Sequence, residues 1–212
     1  MSINFTEASS LATIDRQIKE ERDDLSAAQY EIIRQVIYHT ANFEYYSLVK
    51  FSEDALKKGF QALKSSSPIV VDVPEIQVSI VPKLHQTFHN PVYCCATTGT
   101  QIDKSKSKAA FGLETLAKDW NNSIFIIGQD RSALNTLVKL IKNETVNPLL
   151  AIATAPSVLE KDGEEYLKYA SIPTIYLDLP KGDATVASTI FNTLVNLAWR
   201  VNDYRPLEST VD

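Results

Sequence analysis

The sequence predicts an α/β fold in which a parallel sheet of about five strands is covered by helices on both faces. Five short apolar runs rich in β-branched residues alternate with segments that carry apolar residues at helical spacing. Each run is nearly continuous rather than alternating, which is typical of strands buried on both faces. With 212 residues, 44% of them hydrophobic, the chain suits a single domain spanning residues 1–212 with a sizeable core.

The first part of the chain carries helical patterns only. Residues 9–23 place apolar side chains at helical spacing. Ser26 is predicted to cap a second helix, in which apolar residues recur every three to four positions as far as Ala41. Ser52 is predicted to cap a third helix. The two ends, residues 1–8 and 204–212, are predicted to be loosely ordered.

Strands and helices alternate over the remainder of the chain. The predicted strands lie within residues 68–74, 91–96, 123–128, 148–154 and 172–177. The helical patterns between and after them cover residues 106–120, residues 131–141 behind Asp130 as N-cap, residues 159–169 with a weaker pattern, and a long last helix behind Asp183. Between the first two strands, Pro82, Asn90 and Pro91 predict a loop that enters the second strand.

Composition excludes several classes of protein. The net charge of −5 disfavours a nucleic-acid-binding surface. Cys94 and Cys95 are adjacent within an apolar run, which indicates buried thiols in a reduced, cytoplasmic protein rather than a disulfide framework. No N-terminal stretch resembles a signal peptide, and no apolar run approaches the roughly 20 residues that span a bilayer.

Ligands of open α/β sheets bind beyond the carboxyl ends of the strands, where strand-to-helix loops meet. Four segments qualify in this chain: residues 97–106, 128–130, 154–158 and 178–184. Helix N-termini in such loops expose free N–H groups and suit carboxylates. The cluster of Lys104, Lys106 and Lys108 either binds anionic groups or forms a solvated turn, and the sequence leaves both interpretations open.

Histidines offer the other candidates. His39 suits acid–base chemistry near neutral pH, and the competing interpretation is a partly exposed side chain near a helix end. His85 and His89 have the i, i+4 spacing of a metal pair, but no third ligand stands at a characteristic distance in the sequence. A loop is therefore the preferred interpretation there, without a metal.

Residues 38–44 read Tyr-His-Thr-Ala-Asn-Phe-Glu, and this run is similar to a signature of the precorrin-8X methylmutases, the corrin isomerases of cobalamin biosynthesis. In that family the run reads roughly (I/V)-H-x-(T/C)-(A/G)-(D/S)-(F/V)-E. Residues 69–74 resemble the family's first strand, and residues 90–94 and 112–117 look most like its cyanobacterial branch. The resemblance covers roughly residues 11–200.

The resemblance implies a flavodoxin-like three-layer α/β/α fold and a homodimer with its substrate pocket near the interface. It implies an isomerase that moves a methyl group from C11 to C12 of the corrin ring, giving hydrogenobyrinate or its cobalt form. No metal or redox cofactor is expected. Main-chain N–H groups and basic side chains are expected to hold the carboxylates of the tetrapyrrole.

The chain departs from the family at the catalytic positions. The family's catalytic His aligns with Tyr38, and His39 follows one position later, a rotation of about 100° along a helix. Either side chain is therefore a candidate for the catalytic role. The Thr-Arg that opens the family's middle helix aligns with Ser107 and Lys108, which keeps the charge but loses the bidentate guanidinium.

Two further ligand loops are changed. Thr154 and Ser157 lie in a loop that has lost both of the family's glycines, and Lys181 and Gly182 lie in a loop that has lost its Arg and gained Asp183. The predicted substrate-binding residues are Ser107, Lys108, Thr154, Ser157, Lys181 and Gly182. Two hypotheses follow: a divergent methylmutase, or a non-catalytic paralogue that binds a tetrapyrrole or another protein.

Overall fold

The computed structural model describes residues 5–18, 24–98, 106–156, 171–178 and 181–203. Its helices are α1 (Phe5–Gln17), α2 (Ala27–Thr40), α3 (Tyr45–Leu48), α4 (Ala55–Lys64), α5 (Pro74–His85), α6 (Lys108–Leu116), α7 (Arg131–Lys142) and α8 (Ala184–Asp203). Its strands are β1 (Val49–Phe51), β2 (Ile69–Val71), β3 (Val92–Cys94), β4 (Ile124–Ile127), β5 (Leu150–Ala153) and β6 (Thr174–Leu177). Ser157 and the helix predicted at 159–169 lie outside the described residues.

The strands form one six-stranded sheet in the order β1-β6-β5-β4-β2-β3. The five predicted strands, β2 to β6, pair in parallel. Taken in chain order they stand 2-1-3-4-5 across the sheet, which is the flavodoxin-like arrangement. One further strand, β1, was not predicted. It lies at the edge of the sheet and pairs antiparallel with β6. The predicted parallel sheet is confirmed and extended by this strand.

Helices cover both faces of the sheet, which explains the continuous apolar runs. Ile69, Val71 and Ile124 point into one hydrophobic cluster together with α1, α2, α4, α5 and α8. Val70 and Phe125, which alternate with them, point into a second cluster with α6 and α7. The last helix packs against α2, α4 and α5. The structure is therefore three layers deep, as predicted. None of the described helices is both long and apolar enough to cross a membrane.

Three helix starts follow the predicted capping. The Ser26 hydroxyl accepts from Gln29 N–H at 3.3 Å in a capping box. Asp130 accepts from Ala133 N–H at 2.7 Å, and Asp183 accepts from Val186 N–H at 2.9 Å. The prediction for Ser52 was wrong. Its hydroxyl accepts from the backbone N–H of Thr174 on β6 at 2.8 Å, and thereby ties the edge strand to the sheet.

Helix α5 runs through Pro82 to His85, so that part of the predicted loop was wrong, whereas residues 86–91 form a loop that enters β3 as predicted. Ile76, Ile80 and Leu84 recur four residues apart and are fully buried, so burial of this stripe outweighs the loss of a helical N–H at Pro82. His85 ends the helix, whereas His89 lies beyond it with a positive φ of 57°. The i, i+4 pair therefore does not share a helix face. Helix α1 begins at Phe5, so part of the predicted loose N-terminal end is helical.

Candidate functional site

A surface groove of about 380 Å³ lies between α1 and α2. We call it the α1–α2 groove. Its lining combines neutral polar and apolar side chains: Ser9, Ser10, Thr13, Ile14, Gln17, Ile37, Tyr38, Ala41 and Phe43. None of these side chains carries a charge. Such a lining suits an apolar ring system held by a few hydrogen bonds.

Tyr38 lines this groove and His39 does not. Tyr38 is half-buried, whereas His39 is exposed. The Nδ1 atom of His39 lies 2.8 Å from the carbonyl oxygen of Gln35. Because a carbonyl only accepts, Nδ1 carries the proton and Nε2 is the acceptor of the neutral ring. The two rings meet edge to face with centroids 5.2 Å apart. Of the two candidate side chains, Tyr38 is therefore the one that lines the groove.

The chain turns sharply after α2 and leads from the groove to the loop before α8. Ala41 ends α2 in the left-handed region, with φ 52° and ψ 25°. The side-chain oxygen of Asn42 then accepts from Glu44 N–H at 2.9 Å, which closes a tight local turn. Phe43 lines the groove, and the next two residues contact Lys181. We call residues 41–45 the bracket segment.

Lys181 is held twice by the bracket segment. Its ammonium lies 2.7 Å from a carboxylate oxygen of Glu44. Its carbonyl oxygen accepts a hydrogen bond of 2.7 Å from the Tyr45 hydroxyl. Hydrogen bonds from Lys181 and Asn42 lower the pKa of Glu44. The side chains of Lys181 and Glu44 are 48% and 56% exposed, so solvent weakens the pair and another anion can replace Glu44.

Gly182 packs against Thr154 so closely that no side chain fits. A Cβ atom at position 182 would stand 2.1 Å from the Thr154 carbonyl oxygen. The Thr154 hydroxyl donates to the carbonyl of Asp183 at 3.1 Å. Thr154 is buried, and its hydrogen bond to Asp183 holds the loop that precedes α8 against the end of β5. The structure therefore brings together Thr154, Lys181 and Gly182, and the bracket segment connects them to Tyr38.

Ser107 and Lys108 belong to a separate region. They begin α6, which covers the opposite face of the sheet from α1 and α2. The Ser107 hydroxyl accepts from Ala110 N–H at 3.1 Å and donates to Asp130 at 2.8 Å, so it links the starts of α6 and α7. Lys108 is exposed, and Lys106 pairs with Glu114 at 2.6 Å. Lys104 lies outside the described residues.

Asp72 is a central residue that sequence reasoning did not single out. It follows β2, is fully buried, and accepts from the backbone N–H groups of Gly128 (3.2 Å), Gln129 (2.8 Å) and Asp130 (2.7 Å). These contacts span β2 and β4, the point at which the strand order of the sheet reverses. An acidic residue directly after a buried apolar run was the available signal, because a buried carboxylate needs hydrogen-bond donors.

Burial raises the pKa of Asp72, and the three backbone N–H groups offset only part of that increase. A carboxyl whose pKa is higher in the folded state costs stability when it ionises. We therefore expect the wild type to lose stability relative to Asp72→Asn as pH rises from about 4, the ordinary Asp range, through the higher folded pKa. Urea unfolding of both proteins between pH 4 and 8 measures this difference. The expectation is contradicted if the free energy of unfolding of the wild type, relative to that of Asp72→Asn, stays constant or increases as pH rises.

We expect Gly182→Ala to destabilise the fold by about 1–3 kcal/mol, because its Cβ atom would overlap the Thr154 carbonyl oxygen. Thermal unfolding measures the loss. Gly59→Ala is a matched control, because the nearest atoms there are flexible leucine side-chain carbons at 3.0 and 3.1 Å. Equal melting temperatures for Gly182→Ala and the wild type would show that the loop is not tightly packed.

The structure is an α/β domain of flavodoxin-like topology with a groove between α1 and α2. The family described as precorrin-8X methylmutase matches residues 6–197, and the chain belongs to that family. Its members are methylmutases, which are intramolecular transferases. The resemblance stated from the residues alone is thereby confirmed.

Individual relatives agree with this assignment. The chain is 32% identical over 196 residues to a cobalt-precorrin-8 methylmutase of Leptospira interrogans, with 85% of this chain and 89% of the relative covered. It is 29% identical over 206 residues to the Synechocystis cobalt-precorrin-8 methylmutase, with 90% and 94% covered. The crystal structure of the Thermus thermophilus precorrin-8X methylmutase superposes with a TM-score of 0.80 at 23% identity, covering 92% of this chain and 98% of that one. This last similarity supports the fold.

Proposed function

We propose that the protein is an isomerase of cobalamin biosynthesis that moves a methyl group from C11 to C12 of a corrin ring. The product is hydrogenobyrinate or its cobalt form. The observation that carries this proposal is the family match over residues 6–197, and the α1–α2 groove lined by Tyr38 supports it. The reaction rearranges bonds within one molecule, so the site has no leaving group or second substrate to accommodate.

We assign the central role to Tyr38. Its phenol is a neutral hydrogen-bond donor in a groove whose described lining side chains carry no charge. A donor placed against the ring polarises the conjugated system from which the methyl group migrates. His39 does not line this groove, and its Nδ1 proton is shared with the Gln35 carbonyl oxygen. In this proposal it supports the helix end and takes no part in the reaction.

The size of the groove indicates how the substrate lies. Its volume of about 380 Å³ is at the lower end of the range for ligand pockets, roughly 300–1,000 Å³. A tetrapyrrole with carboxylate side chains therefore extends beyond it. The bracket segment leads from the groove to Lys181, whose ammonium a substrate carboxylate can take over from Glu44. Ser107 and Lys108, which lie outside the groove, and Ser157 remain proposed contacts for the other carboxylates.

We also propose that the protein acts in the cytoplasm as a homodimer. Cys94 and Cys95 are buried free thiols, which suits a reducing compartment. A dimer supplies the additional surface that a ligand larger than the groove requires, and offers a way for Ser107 and Lys108 of one subunit to approach the groove of the other. Light scattering after size-exclusion chromatography measures the assembly, and a monomer at micromolar concentration contradicts it.

Binding without turnover is the second candidate function. It is favoured by Tyr38 at the family's His position and by the neutralisation of Lys181 by Glu44. Incubation of the purified protein with precorrin-8X and with cobalt-precorrin-8, followed by visible absorption, separates the two functions. We expect conversion of at least one substrate, with the Synechocystis relative as positive control. A stable complex whose spectrum never reaches that of the product would establish the binding function instead.

A further inference from the structure

Tyr45 joins the bracket segment to the loop that precedes α8. It is the first residue of α3 and is 6% exposed, with its ring packed in the larger hydrophobic cluster. Its hydroxyl reaches out of that cluster to the Lys181 carbonyl oxygen at 2.7 Å, a contact between residues 136 positions apart. Burial, together with the charges of Asp183 and Glu44, raises the pKa of Tyr45, so the hydroxyl keeps its proton and remains a donor.

The hydrogen bond from Tyr45 holds the loop before α8 at Lys181, directly next to the closely packed Gly182. Gly182 cannot shift towards Thr154, because their backbones already approach too closely for a side chain. The Lys181 carbonyl is held one residue earlier by Tyr45. Two restraints on consecutive residues determine where the Lys181 side chain leaves the backbone. They also determine where its ammonium stands relative to the groove.

The hydroxyl contributes little to packing, since a phenylalanine would fill the same place in the core. The hydrogen bond to the Lys181 carbonyl oxygen is therefore what the protein would lose if phenylalanine replaced tyrosine at this position. The neighbouring Glu44 carboxylate contacts the same lysine through its ammonium. The bracket segment thus contacts Lys181 at two points, its backbone carbonyl oxygen and its ammonium. Phe43 of the same segment lines the groove.

We propose that Tyr45 is a positioning residue of the substrate site, acting through the backbone of Lys181 to place the ammonium that receives a substrate carboxylate. This inference rests on the proposed function, because it takes a carboxylated tetrapyrrole as the ligand. Tyr45 does not touch the reacting atoms. Its loss therefore weakens substrate binding and leaves the chemical step intact.

Kinetics of Tyr45→Phe with the converted tetrapyrrole test the proposal. The loss of one buried hydrogen bond that orients a charged contact corresponds to a rise in KM of roughly fivefold to tenfold. We expect kcat to change by less than about twofold, because the donor in the groove is untouched. Tyr93→Phe is the matched control: Tyr93 stacks on Trp120 at 4.9 Å in the other hydrophobic cluster, and its variant should keep the wild-type KM.

A double-mutant cycle with Lys181→Ala separates positioning from general stability. If Tyr45 acts through Lys181, the double variant has the same KM as Lys181→Ala alone. If the two substitutions raise KM independently, so that their factors multiply in the double variant, the proposal is overturned. An unchanged KM for Tyr45→Phe would overturn it as well. Both results leave the isomerase function standing. If the wild type converts no tetrapyrrole, the isomerase function fails and the same cycle is run on the dissociation constant for hydrogenobyrinate. A wild type that does not bind this corrin either would overturn both.

Discussion

Tyr38→Phe should lower kcat for the methyl shift by about a hundredfold, the lower end of what a positioned proton donor contributes. The substitution removes only the hydroxyl and keeps the ring that lines the groove. KM should therefore change little. The measurement is the initial rate of the absorbance change at saturating tetrapyrrole, with thermal unfolding to show that the variant is folded.

His39→Gln is the matched control for Tyr38→Phe, because it changes the next residue of the same helix. We expect kcat within about twofold of the wild type, since the exposed imidazole lies outside the groove. The glutamine amide can replace the Nδ1 donor to the Gln35 carbonyl. If His39→Gln abolishes turnover and Tyr38→Phe retains it, the assignment of the two residues is reversed.

Asp72→Ala should lower the free energy of unfolding by about 3 kcal/mol, a large fraction of the stability of an ordinary domain. The substitution leaves the backbone N–H groups of Gly128, Gln129 and Asp130 without their acceptor. Two of those residues lead directly into α7, so the loop between β4 and α7 loses its anchor to β2. Equilibrium unfolding in urea measures the loss.

Asp54→Ala provides the control for Asp72→Ala. Asp54 is exposed at the start of α4, and its side chain makes no capping hydrogen bond. We expect a change within about 0.5 kcal/mol, as is usual for surface substitutions. Equal losses for the two variants would mean that the loss at position 72 reflects the removal of a carboxylate in general rather than the buried contacts with the β4–α7 loop.

The sheet was predictable because its strands are buried on both faces. Residues such as Val70 and Val71 face opposite helical layers, so both must be apolar and the run stands out in the sequence. The edge strand β1 has only three residues, Val49 to Phe51, and two of them are half-buried. Such a short segment carries no periodicity, and only its pairing with β6 makes it a strand.

Helix α5 shows where a local rule misleads. Pro82 predicts a loop, whereas Ile76, Ile80 and Leu84, which the prediction did not use, have the spacing of a helix face. Tertiary packing against α8 stabilises that stripe, and a single missing N–H does not outweigh it. The spacing was therefore the better predictor than the proline.

The sequence offers candidate residues for the site but does not indicate their contacts. Tyr38 and His39 are both candidates from the sequence, and only in the structure is Tyr38 seen to line the groove. The ion pair between Lys181 and Glu44 joins residues 137 positions apart, which no local pattern reveals. The same holds for Asp72, whose three donors lie on a different strand-to-helix loop.

A single-turnover reaction tests the central claim most directly. Tetrapyrrole substrate is mixed with an excess of the protein, and the visible spectrum and the mass of the pigment are followed together. An isomerase with Tyr38 as its donor predicts complete conversion to the product spectrum at unchanged mass, about a hundredfold slower with Tyr38→Phe. Full binding of the pigment with no conversion by the wild type would contradict it.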